Sequence, residues 1–360
     1  MKKKKRVLLG MSGGVDSSVA ALMLKKRGYD VIGITMQLLP KEDIQSSACC
    51  NLSAIHDAKR VCHSLNIVHY TLNIRENFKK KVIDYFVDGY TKGTTPNPCV
   101  ECNRHIKFDE LQTKAKELEV DFVATGHYCK KTYRPKHQIY SLKKAKDAHK
   151  DQTYFLYMLS SEQLKTTLFP LGNLLKSEVR QIAAAHGLIN ANKPESQEIC
   201  FVPGSYKDFI NKQLENNPLP KGEVVDVTGA VLGYHQGIHT VTIGQRKGLQ
   251  ISHPEPLYVL KIDPIYHRVT VGKKDDLTCT VIQLVQTTLV NPNETLLQRS
   301  FQMKIRYNMT PFMATVISQD PLRQCLTLEL STPQSFVTPG QSGVLYDKDR
   351  VVGGGIITLA

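Results

Sequence analysis

The stretch "LLGMSGGVDSSVAAL", residues 8–22, decides the first part of the fold. Its apolar start predicts a strand, its glycines predict a turn, and its alanine- and leucine-containing end predicts a helix. The backbone N–H groups of such a turn, with the N-terminus of the helix that follows, form a cradle for an anion. Ser12, Ser17 and Ser18 add hydroxyl donors, so the stretch predicts a phosphate-binding loop.

This loop differs from two common nucleotide-binding loops. No lysine follows its glycines as in G-x-x-x-x-G-K-[ST], and its glycines are not spaced as G-x-G-x-x-G. The missing lysine disfavours transfer of a γ-phosphoryl group and suits a pyrophosphate leaving group. Asp16, at the start of the predicted helix, is then placed to help hold Mg²⁺.

Apolar strands alternate with helical patterns over the first 125 residues, which predicts an α/β fold with a parallel sheet covered by helices. A lysine-rich stretch at 128–148 predicts a basic hairpin or loop. After Pro203 the sequence predicts short strands and turns, and the final part alternates like the strands of a small barrel. The predicted strands are Arg6–Gly10, Tyr29–Met36, Ile67–Leu72 and Phe122–Thr125, and the predicted helices are Ser17–Lys26 and Leu174–His186.

These patterns predict three domains in the 360 residues. The first is a catalytic parallel-sheet domain over 1–205, the second a small, mostly-β central domain over 206–276, and the third a C-terminal β-barrel over 277–360. No apolar run approaches the roughly 20 residues of a membrane span. The apolar part of "MKKKKRVLLG" is too short for a signal peptide, so we expect a cytoplasmic protein.

The net charge of +14, from 47 Lys and Arg against 33 Asp and Glu, predicts a polyanionic partner. Nucleic acid is the commonest such partner. Aromatic residues make up only 7% and Trp is absent, which disfavours a broad stacking platform. We therefore expect contacts to phosphates.

The nine cysteines are odd in number and form no regular framework, so reduced thiols are expected rather than a secreted disulfide scaffold. In "NPCVECN", residues 97–103, two of them are spaced Cys-x-x-Cys. That spacing serves zinc ribbons, iron–sulfur clusters and thiol exchange equally well. The cations Arg104, His105 and Lys107 stand beside Cys102 and favour a thiolate there.

Several motifs resemble known enzymes. "SGGVDSS" after a first strand is similar to the loop of the PP-loop ATP pyrophosphatases, which cleave ATP between the α and β phosphates to adenylate a substrate. Within that group, four further motifs resemble the tRNA-specific 2-thiouridylases, the MnmA or TrmU family. They are "TPNPCVECNRHIKF" (95–108), "ATGHY" (124–128), "KDQTYFL" (150–156) and "ESQEICFV" (195–202).

The resemblance implies an adenine nucleotide alpha hydrolase-like first domain and ATP-dependent 2-thiolation of the wobble uridine of tRNA. The C2 oxygen would be adenylated and then replaced by sulfur from a cysteine persulfide, with release of AMP and pyrophosphate. It implies ATP and Mg²⁺ as cofactors, and tRNA and a sulfur-donor protein as partners, the donor being a cysteine desulfurase or a sulfur relay carrier. Cys200 would carry the persulfide and Cys102 would be its nucleophilic partner, with a disulfide as one product.

The same resemblance implies binding residues. Those for ATP are Gly10, Met11, Ser12, Gly13, Gly14, Val15, Asp16, Ser17, Met36 and Gly126. Those facing the target base are Asn97, Pro98 and Cys99, and those contacting tRNA are Lys150, Asp151, Gln152, Arg306 and Tyr307.

Cys99 departs from the family pattern, in which this position is aspartate. Cys99, Cys102 and Cys200 are together three thiols able to hold a [4Fe–4S] cluster, so a cluster mechanism stands beside the persulfide mechanism. Cys99 as a spectator thiol is the other interpretation, and no metal ligand is certain. The remaining cysteines, expected to pack in the interior, are Cys49, Cys50, Cys62, Cys129, Cys279 and Cys325.

Two other functions compete with this one. A metal-stapled RNA-binding protein would explain the charge, but it leaves "SGGVDSS" unexplained. A small-molecule-amidating ATP pyrophosphatase would explain that loop, but it needs neither the three cysteines nor a net charge of +14.

Overall fold

The computed structural model describes residues 4–39, 52–194 and 199–358. The predictions for Cys49 and Cys50, and the first four residues of "ESQEICFV", lie outside this range. The chain forms two compact units. The first comprises Met1–Val82, Cys99–Pro203 and Asp349–Val352, and the second comprises Ile83–Pro98, Gly204–Lys348 and Gly353–Ala360.

The strands are β1 (Arg6–Gly10), β2 (Asp30–Gln37), β3 (Val68–Asn73), β4 (Phe122–Ala124), β5 (Lys130–Arg134), β6 (Ile139–Lys143), β7 (Thr167–Leu168), β8 (Gly222–Val225), β9 (Val231–His235), β10 (Tyr258–Asp263), β11 (Arg268–Gly272), β12 (Cys279–Leu289), β13 (Ser300–Lys304), β14 (Phe312–Asp320), β15 (Cys325–Gln334), β16 (Ser342–Asp347) and β17 (Arg350–Thr358).

The α-helices are α1 (Val15–Lys26), α2 (Leu52–Ser64), α3 (Arg75–Phe78), α4 (Asp84–Thr91), α5 (Pro98–Glu101), α6 (Glu110–Glu117), α7 (Ser161–Lys165), α8 (Lys176–Ala185) and α9 (Tyr206–Gln213). Two segments are π-helical, Lys79–Ile83 and Cys102–Asp109. Short 3₁₀ turns are Pro135–His137, Thr153–Phe155, Ile238–Thr240 and Asp275–Leu277.

The first unit contains the predicted parallel sheet, with strand order β3-β2-β1-β4-β7 and parallel pairing throughout. The four predicted strands are confirmed, with ends that differ by at most one residue. The two-residue strand β7 was not predicted, because a run this short has no periodicity of its own. Sequence neighbours β1, β2 and β3 lie on one side, so the strand order reverses between β1 and β4.

The central strands β1 and β2 are buried on both faces, as expected for parallel strands, whereas the edge strand β3 is largely exposed. Val7 and Leu9 of β1 belong to the hydrophobic core that includes residues of α1 and α8. Leu8, between them, points to the other face and packs in the cluster that contains Leu111 of α6. Alternate residues of one short strand therefore fix helices on opposite faces and hold the carboxyl end of β1 in place.

The lysine-rich stretch forms the predicted hairpin. Strands β5 and β6 pair antiparallel from Lys130 opposite Lys143 to Arg134 opposite Ile139. Late in the chain, Arg350 pairs with Lys143, and the Asp349 carboxylate lies 2.9 Å from the Lys143 ammonium group.

The second unit confirms the predicted β-rich remainder of the chain. A four-stranded sheet has the order β10-β11-β8-β9 over a core that includes Val224, Val259 and Val269. Strands β12 to β17 follow in the order β12-β15-β14-β13-β16-β17, and β12 also pairs with β17. That last pairing closes the six strands into a barrel.

Across the described residues, no helix combines the length and the apolar character that a membrane crossing requires.

Candidate active site

The glycine loop lies where the parallel sheet favours a ligand. It connects the carboxyl end of β1 to α1, beside β4, at the point where the strand order reverses. In open α/β sheets this switch point outside the carboxyl ends is the usual ligand crevice. Gly10 ends β1, and the backbone N–H of Met11 donates to the Ile34 carbonyl at 2.8 Å.

Hydrogen bonds inside the loop fix its shape. Ser17 Oγ accepts from the Ser12 N–H at 3.2 Å and donates to the Gly14 carbonyl at 3.1 Å. Gly14 is the N-cap of α1 and has no side chain to cap the helix. Ser12 is exposed, whereas Ser17 and Ser18 are buried. The Ser18 hydroxyl donates to the Gly14 carbonyl at 3.0 Å, so it supports the loop from behind, contrary to the expectation that it is available to a phosphate.

Two glycines of the site are required by close backbone contacts. Gly13 has φ +70°, and a Cβ on it would lie 2.2 Å from the Ala54 carbonyl oxygen of α2. A Cβ on Gly126, just after β4, would lie 2.9 Å from the backbone nitrogen of Ser17. Both positions therefore exclude a side chain, and Gly126 lets the β4 turn lie against the start of α1.

Asp16 is the acidic centre of the loop. Its carboxylate accepts from Lys176 Nζ at 2.7 and 2.8 Å and from the Tyr128 hydroxyl at 2.7 Å. Lys176 is the first residue of α8, and its ammonium group also lies 5.7 Å from the centre of the Tyr128 ring. A lysine thus reaches the loop from 160 residues away, although none follows the glycines in sequence.

The other predicted nucleotide residues lie around this loop. Val15 is buried in the core beneath α1. Met36, near the end of β2, is half-buried and packs beside the second core cluster. The Thr35 hydroxyl donates to the Met11 carbonyl at 2.8 Å and thereby anchors the start of the loop.

The predicted cysteine segment forms a helix that changes type at Cys102. Pro98 begins α5, a position that proline suits because its missing N–H has no helical partner there. From Cys102 to Asp109 the helix is π-helical, a geometry often found at functional sites. Cys99 is exposed and Cys102 is buried.

His105 lies between two carboxylates of its own helical segment. Its imidazole lies 3.3 Å from Glu101 and 3.2 Å from Asp109, one helical turn away on either side. Asn103 is buried, and its side-chain N–H₂ donates to the Phe155 carbonyl at 3.1 Å, which joins the cysteine helix to the "KDQTYFL" loop.

Cys200 lies in a tight turn of the first unit, closed by a hydrogen bond of 3.0 Å from the Val202 N–H to the Ile199 carbonyl. Cys200 is half-buried, and the ring of Phe201 beside it packs edge-on against Phe78 at 5.6 Å. This packing holds the turn on the body of the unit.

The proposed three-cysteine cluster is not assembled in this structure. Within residues 4–39, 52–194 and 199–358, no group of three or more His, Cys, Asp or Glu side chains is arranged to hold a metal ion. Cys99, Cys102 and Cys200 all fall in that range and differ in exposure. A [4Fe–4S] cluster would need these three thiolates to converge, and the described residues show no such convergence.

Two other cysteines match the expectation of packing. Cys62 is buried, and burial raises the pKa of its thiol to about 11. Burial and the nearby Asp151 carboxylate raise the pKa of the Cys129 thiol well above its usual value. Both thiols stay protonated at neutral pH and are poor nucleophiles.

The loop at 150–152 is linked to the nucleotide loop. Gln152 exchanges two hydrogen bonds of 2.9 Å with the backbone of Tyr128, whose hydroxyl donates to Asp16. Asp151 is buried, and its carboxylate accepts from the Ala145 N–H at 2.9 Å and from the Thr153 hydroxyl at 2.6 Å. Asp151 therefore shapes this loop from inside.

The remaining predicted contacts belong to the second unit. Asn97 and Pro98 precede the boundary between the units, which falls before Cys99. Arg306 is exposed, and its guanidinium group donates to the Phe336 carbonyl at 2.8 Å. The Lys304 ammonium group lies 5.8 Å from the centre of the half-buried Tyr307 ring.

His127 stands between the nucleotide turn and the cysteine helix. Its Nδ1 lies 2.8 Å from the Thr125 hydroxyl, and its ring stacks on Phe108 at 5.9 Å. Burial, followed by the charge of Lys107, lowers the pKa of His127 well below its usual value. The imidazole is therefore neutral at pH 7.

A buried neutral histidine makes stability depend on pH. Below its ordinary pKa of 6.5, His127 takes up a proton in the unfolded chain but not in the folded protein. This proton uptake favours the unfolded state as the pH falls. Below that pH the wild type should lose up to about 1.4 kcal/mol per pH unit relative to His127→Gln. Urea denaturation of both proteins at pH 7.5 and 5.5 measures this difference. An equal difference in the free energy of unfolding between the two proteins at both pH values would contradict the assignment of His127 as a neutral, buried imidazole.

Sequence comparison agrees with this architecture. Three family models match: one described as "tRNA methyl transferase HUP domain" over residues 5–204, one as "tRNA methyl transferase PRC-barrel domain" over 207–273, and one as "Aminomethyltransferase beta-barrel domain" over 279–357. Among solved structures, NMN synthetase from Francisella tularensis is 19% identical with a TM-score of 0.36, covering 58% of this chain and 76% of its own. A 4-thiouridine synthetase–RNA complex with bound ATP is 17% identical with a TM-score of 0.35, covering 59% and 51%.

Curated relatives are far more similar. The tRNA-specific 2-thiouridylase MnmA 1 of Caldanaerobacter subterraneus subsp. tengcongensis is 47% identical over 99% of both chains. The MnmA proteins of Acidobacterium capsulatum and Clostridioides difficile are each 45% identical over 98% of both chains. With this identity along nearly its whole length, the chain belongs to the tRNA-specific 2-thiouridylase family.

Proposed function

We propose that the protein catalyses ATP-dependent 2-thiolation of the wobble uridine of tRNA, as the names of its curated relatives indicate. One observation carries the proposal: a single compact unit holds both the anion-binding glycine loop and the two cysteines expected to handle sulfur, Cys102 and Cys200. A loop alone would serve many nucleotide enzymes. The loop with two thiols suits activation of an oxygen followed by its replacement with sulfur.

In the activation step, the C2 oxygen of the uridine attacks the α-phosphorus of ATP, and pyrophosphate leaves. The N–H groups around Gly13 and Gly14 and the hydroxyl of Ser12 would bind the leaving pyrophosphate. The Lys176 ammonium group, held at the loop by Asp16, would exchange part of that ion pair for a phosphate oxygen. Lys176 would then supply the positive charge that a lysine supplies in other nucleotide loops.

Asp16 fits a role with Mg²⁺, because a single carboxylate beside two or more phosphate oxygens is the ligand set that this ion commonly accepts. Bound Mg²⁺ would neutralise charge on the pyrophosphate as it leaves. Gly126 and the backbone near Met36 would border the adenosine, since both lie at the carboxyl ends of strands beside the loop.

In the sulfur step, the terminal sulfur of a persulfide on Cys200 bonds to C2, and AMP leaves with the oxygen. The Cys102 thiolate then attacks the Cys200 sulfur, which breaks the sulfur–sulfur bond to the product. The reaction leaves 2-thiouridine and a disulfide between Cys102 and Cys200, so two thiols supply the two electrons that reduce the transferred sulfur. A sulfur-donor protein and a reductant would restore the persulfide.

The tRNA would bind through phosphate contacts from Lys150 and Arg306 and through stacking on Tyr307. Asn97, Pro98 and Cys99 would face the target base. Asp151 and Gln152 would hold the Lys150 loop in shape, given their internal hydrogen bonds. We propose the domain boundaries 1–205, 206–276 and 277–360 for the catalytic, central and tRNA-contacting parts, and a cytoplasmic location.

The competing functions have less support. A metal-stapled RNA-binding protein needs a ligand cluster, and the described part of the chain contains none. An amidating enzyme that acts on a free metabolite has no use for a persulfide cysteine. The words "methyl transferase" in two of the family models name a different reaction, and methyl transfer would not use a pyrophosphate-binding loop.

The test is a reconstituted reaction. The protein is incubated with ATP, Mg²⁺, unmodified tRNA and a cysteine desulfurase with cysteine. We expect AMP to form only when tRNA is present, and mass spectrometry of the digested tRNA to show 2-thiouridine. ADP as the product, AMP formation without tRNA, or a methylated nucleoside would each contradict the proposal.

A further inference from the structure

The carbonyl group of Gly13 is held by two side chains from a distant segment. Asn190 Nδ2 donates to this oxygen at 3.2 Å, and Lys193 Nζ donates to it at 3.3 Å. Both residues follow α8, about 180 positions later in the chain. None of the sequence motifs includes Asn190 or Lys193.

The orientation of the Asn190 amide is determined by its partners. Its Nδ2 also lies 2.7 Å from Ser18 Oγ, and that hydroxyl already donates to the Gly14 carbonyl. Both oxygens near the amide are therefore acceptors, and only the N–H₂ side of Asn190 can face them. Asn190 is 2% exposed, so little else competes for these hydrogen bonds.

Lys193 is also held in place by neighbouring groups. Its ammonium group also lies 2.7 Å from the Asp57 carboxylate of α2, the helix whose Ala54 backs Gly13. The guanidinium group of Arg180 donates to the carbonyl of Lys193 at 3.3 Å. The lysine is thus fixed by its backbone and by its charge.

These contacts determine where the next N–H group points. In a planar trans peptide, the N–H of Gly14 points opposite to the carbonyl of Gly13. With that carbonyl facing Asn190 and Lys193, the Gly14 N–H faces the exposed Ser12 hydroxyl, 3.4 Å away. A peptide between two glycines has little steric resistance to flipping, and a flip would turn a carbonyl oxygen toward the bound phosphates.

We propose that Asn190 and Lys193 are positioning residues that lock the Gly13–Gly14 peptide with its N–H toward the pyrophosphate. The inference rests on the proposed cleavage of ATP to AMP and pyrophosphate. Neither side chain touches the substrate in this role. They act through the loop. Their loss should therefore lower the affinity for ligands that occupy the pyrophosphate cradle and leave the affinity for other ligands unchanged.

The experiment compares Asn190→Leu and Lys193→Met with the wild type and with Asn192→Leu, an exposed neighbour, as the matched control. Calorimetric titration with ATP, pyrophosphate and AMP in Mg²⁺ measures three affinities for each protein. Loss of one hydrogen bond to the Gly13 carbonyl should lower the affinity for ATP and for pyrophosphate about tenfold and the affinity for AMP by less than about twofold. Lys193→Arg should retain most of the wild-type pyrophosphate affinity that Lys193→Met loses, because arginine keeps a cationic donor at this position.

Ser18→Ala separates the two partners of Asn190. If Asn190 acts through Gly13, adding Asn190→Leu to this variant should weaken pyrophosphate binding by about a further tenfold. If Asn190 acts only by supporting Ser18, the second substitution should add no further loss. Unchanged pyrophosphate binding in both Asn190→Leu and Lys193→Met, or equal losses for pyrophosphate and AMP, would overturn the inference. Failure of the proposed function is distinct, since wild-type protein would then form no tRNA-dependent AMP.

Discussion

Replacing Cys200 with serine should stop 2-thiouridine formation, with a loss of about a thousandfold or more, because serine cannot carry a persulfide. Cys102→Ser should have an effect of similar size, because no thiolate then releases the transferred sulfur. ATP should still be cleaved and pyrophosphate released in both variants, since activation uses the glycine loop and not the thiols. Cys200→Ser should release no AMP, because AMP leaves only when the persulfide sulfur attacks C2. Mass spectrometry of digested tRNA and chromatography of the nucleotides measure the two steps separately.

Cys99→Ser is the matched control. Cys99 is exposed and is not part of a metal-holding group within the described residues, so this variant should keep activity within about threefold of wild type. Complete loss of thiolation activity in Cys99→Ser, together with iron in anaerobically purified wild type, would support the cluster mechanism instead of the persulfide mechanism. Full activity in Cys200→Ser would remove the persulfide from the proposal altogether.

Replacing Lys176 with methionine should reduce AMP formation by about a hundredfold to a thousandfold, the usual effect of removing one charged group that stabilises a developing anion. Asp16→Asn should cause a loss of similar size, because it removes both the partner of Lys176 and the carboxylate suited to Mg²⁺. Single-turnover assays at saturating ATP and tRNA measure the rate of AMP release.

Lys114→Met provides the control for this pair. Lys114 forms an ion pair with Glu117 on the surface of α6, so its loss removes an equal charge and a comparable contact away from the loop. Surface pairs contribute little to stability, and activity should stay within about twofold of wild type. If Lys176→Met behaves like Lys114→Met, the ion pair with Asp16 is structural and the phosphate role of Lys176 is wrong.

The parts of the fold that depend on local pattern were predictable from sequence. Strand β1 was placed correctly at Arg6–Gly10, because three apolar residues before a glycine turn have few alternatives. The parallel order followed from the alternation of strands and helices. The π-helix after Cys102 was not predictable, because its hydrophobic spacing resembles that of an ordinary helix over so few residues.

The site was predictable only where its residues are close in sequence. The loop at 12–17 and the turn at Gly126 have local sequence signatures. Lys176 begins a helix whose sequence pattern is that of an ordinary surface helix, so nothing indicated its contact with the loop. The resemblance implied that Asp151 contacts tRNA, and no periodic pattern indicated that its carboxylate accepts from an internal N–H and an internal hydroxyl. Long-range partners of this kind leave no periodic trace in a single sequence.

The late position of the loop's partners has a consequence for biosynthesis. The ribosome makes β1 and α1 first, but Lys176 meets Asp16 across 160 residues, and Asn190 meets Gly13 across 177. At about 5–20 residues per second, translation leaves the finished loop sequence without these partners for roughly ten seconds or more. The nascent chain therefore reaches full affinity for nucleotide only after α8 and the segment behind it have left the exit tunnel, and incomplete chains should not sequester ATP.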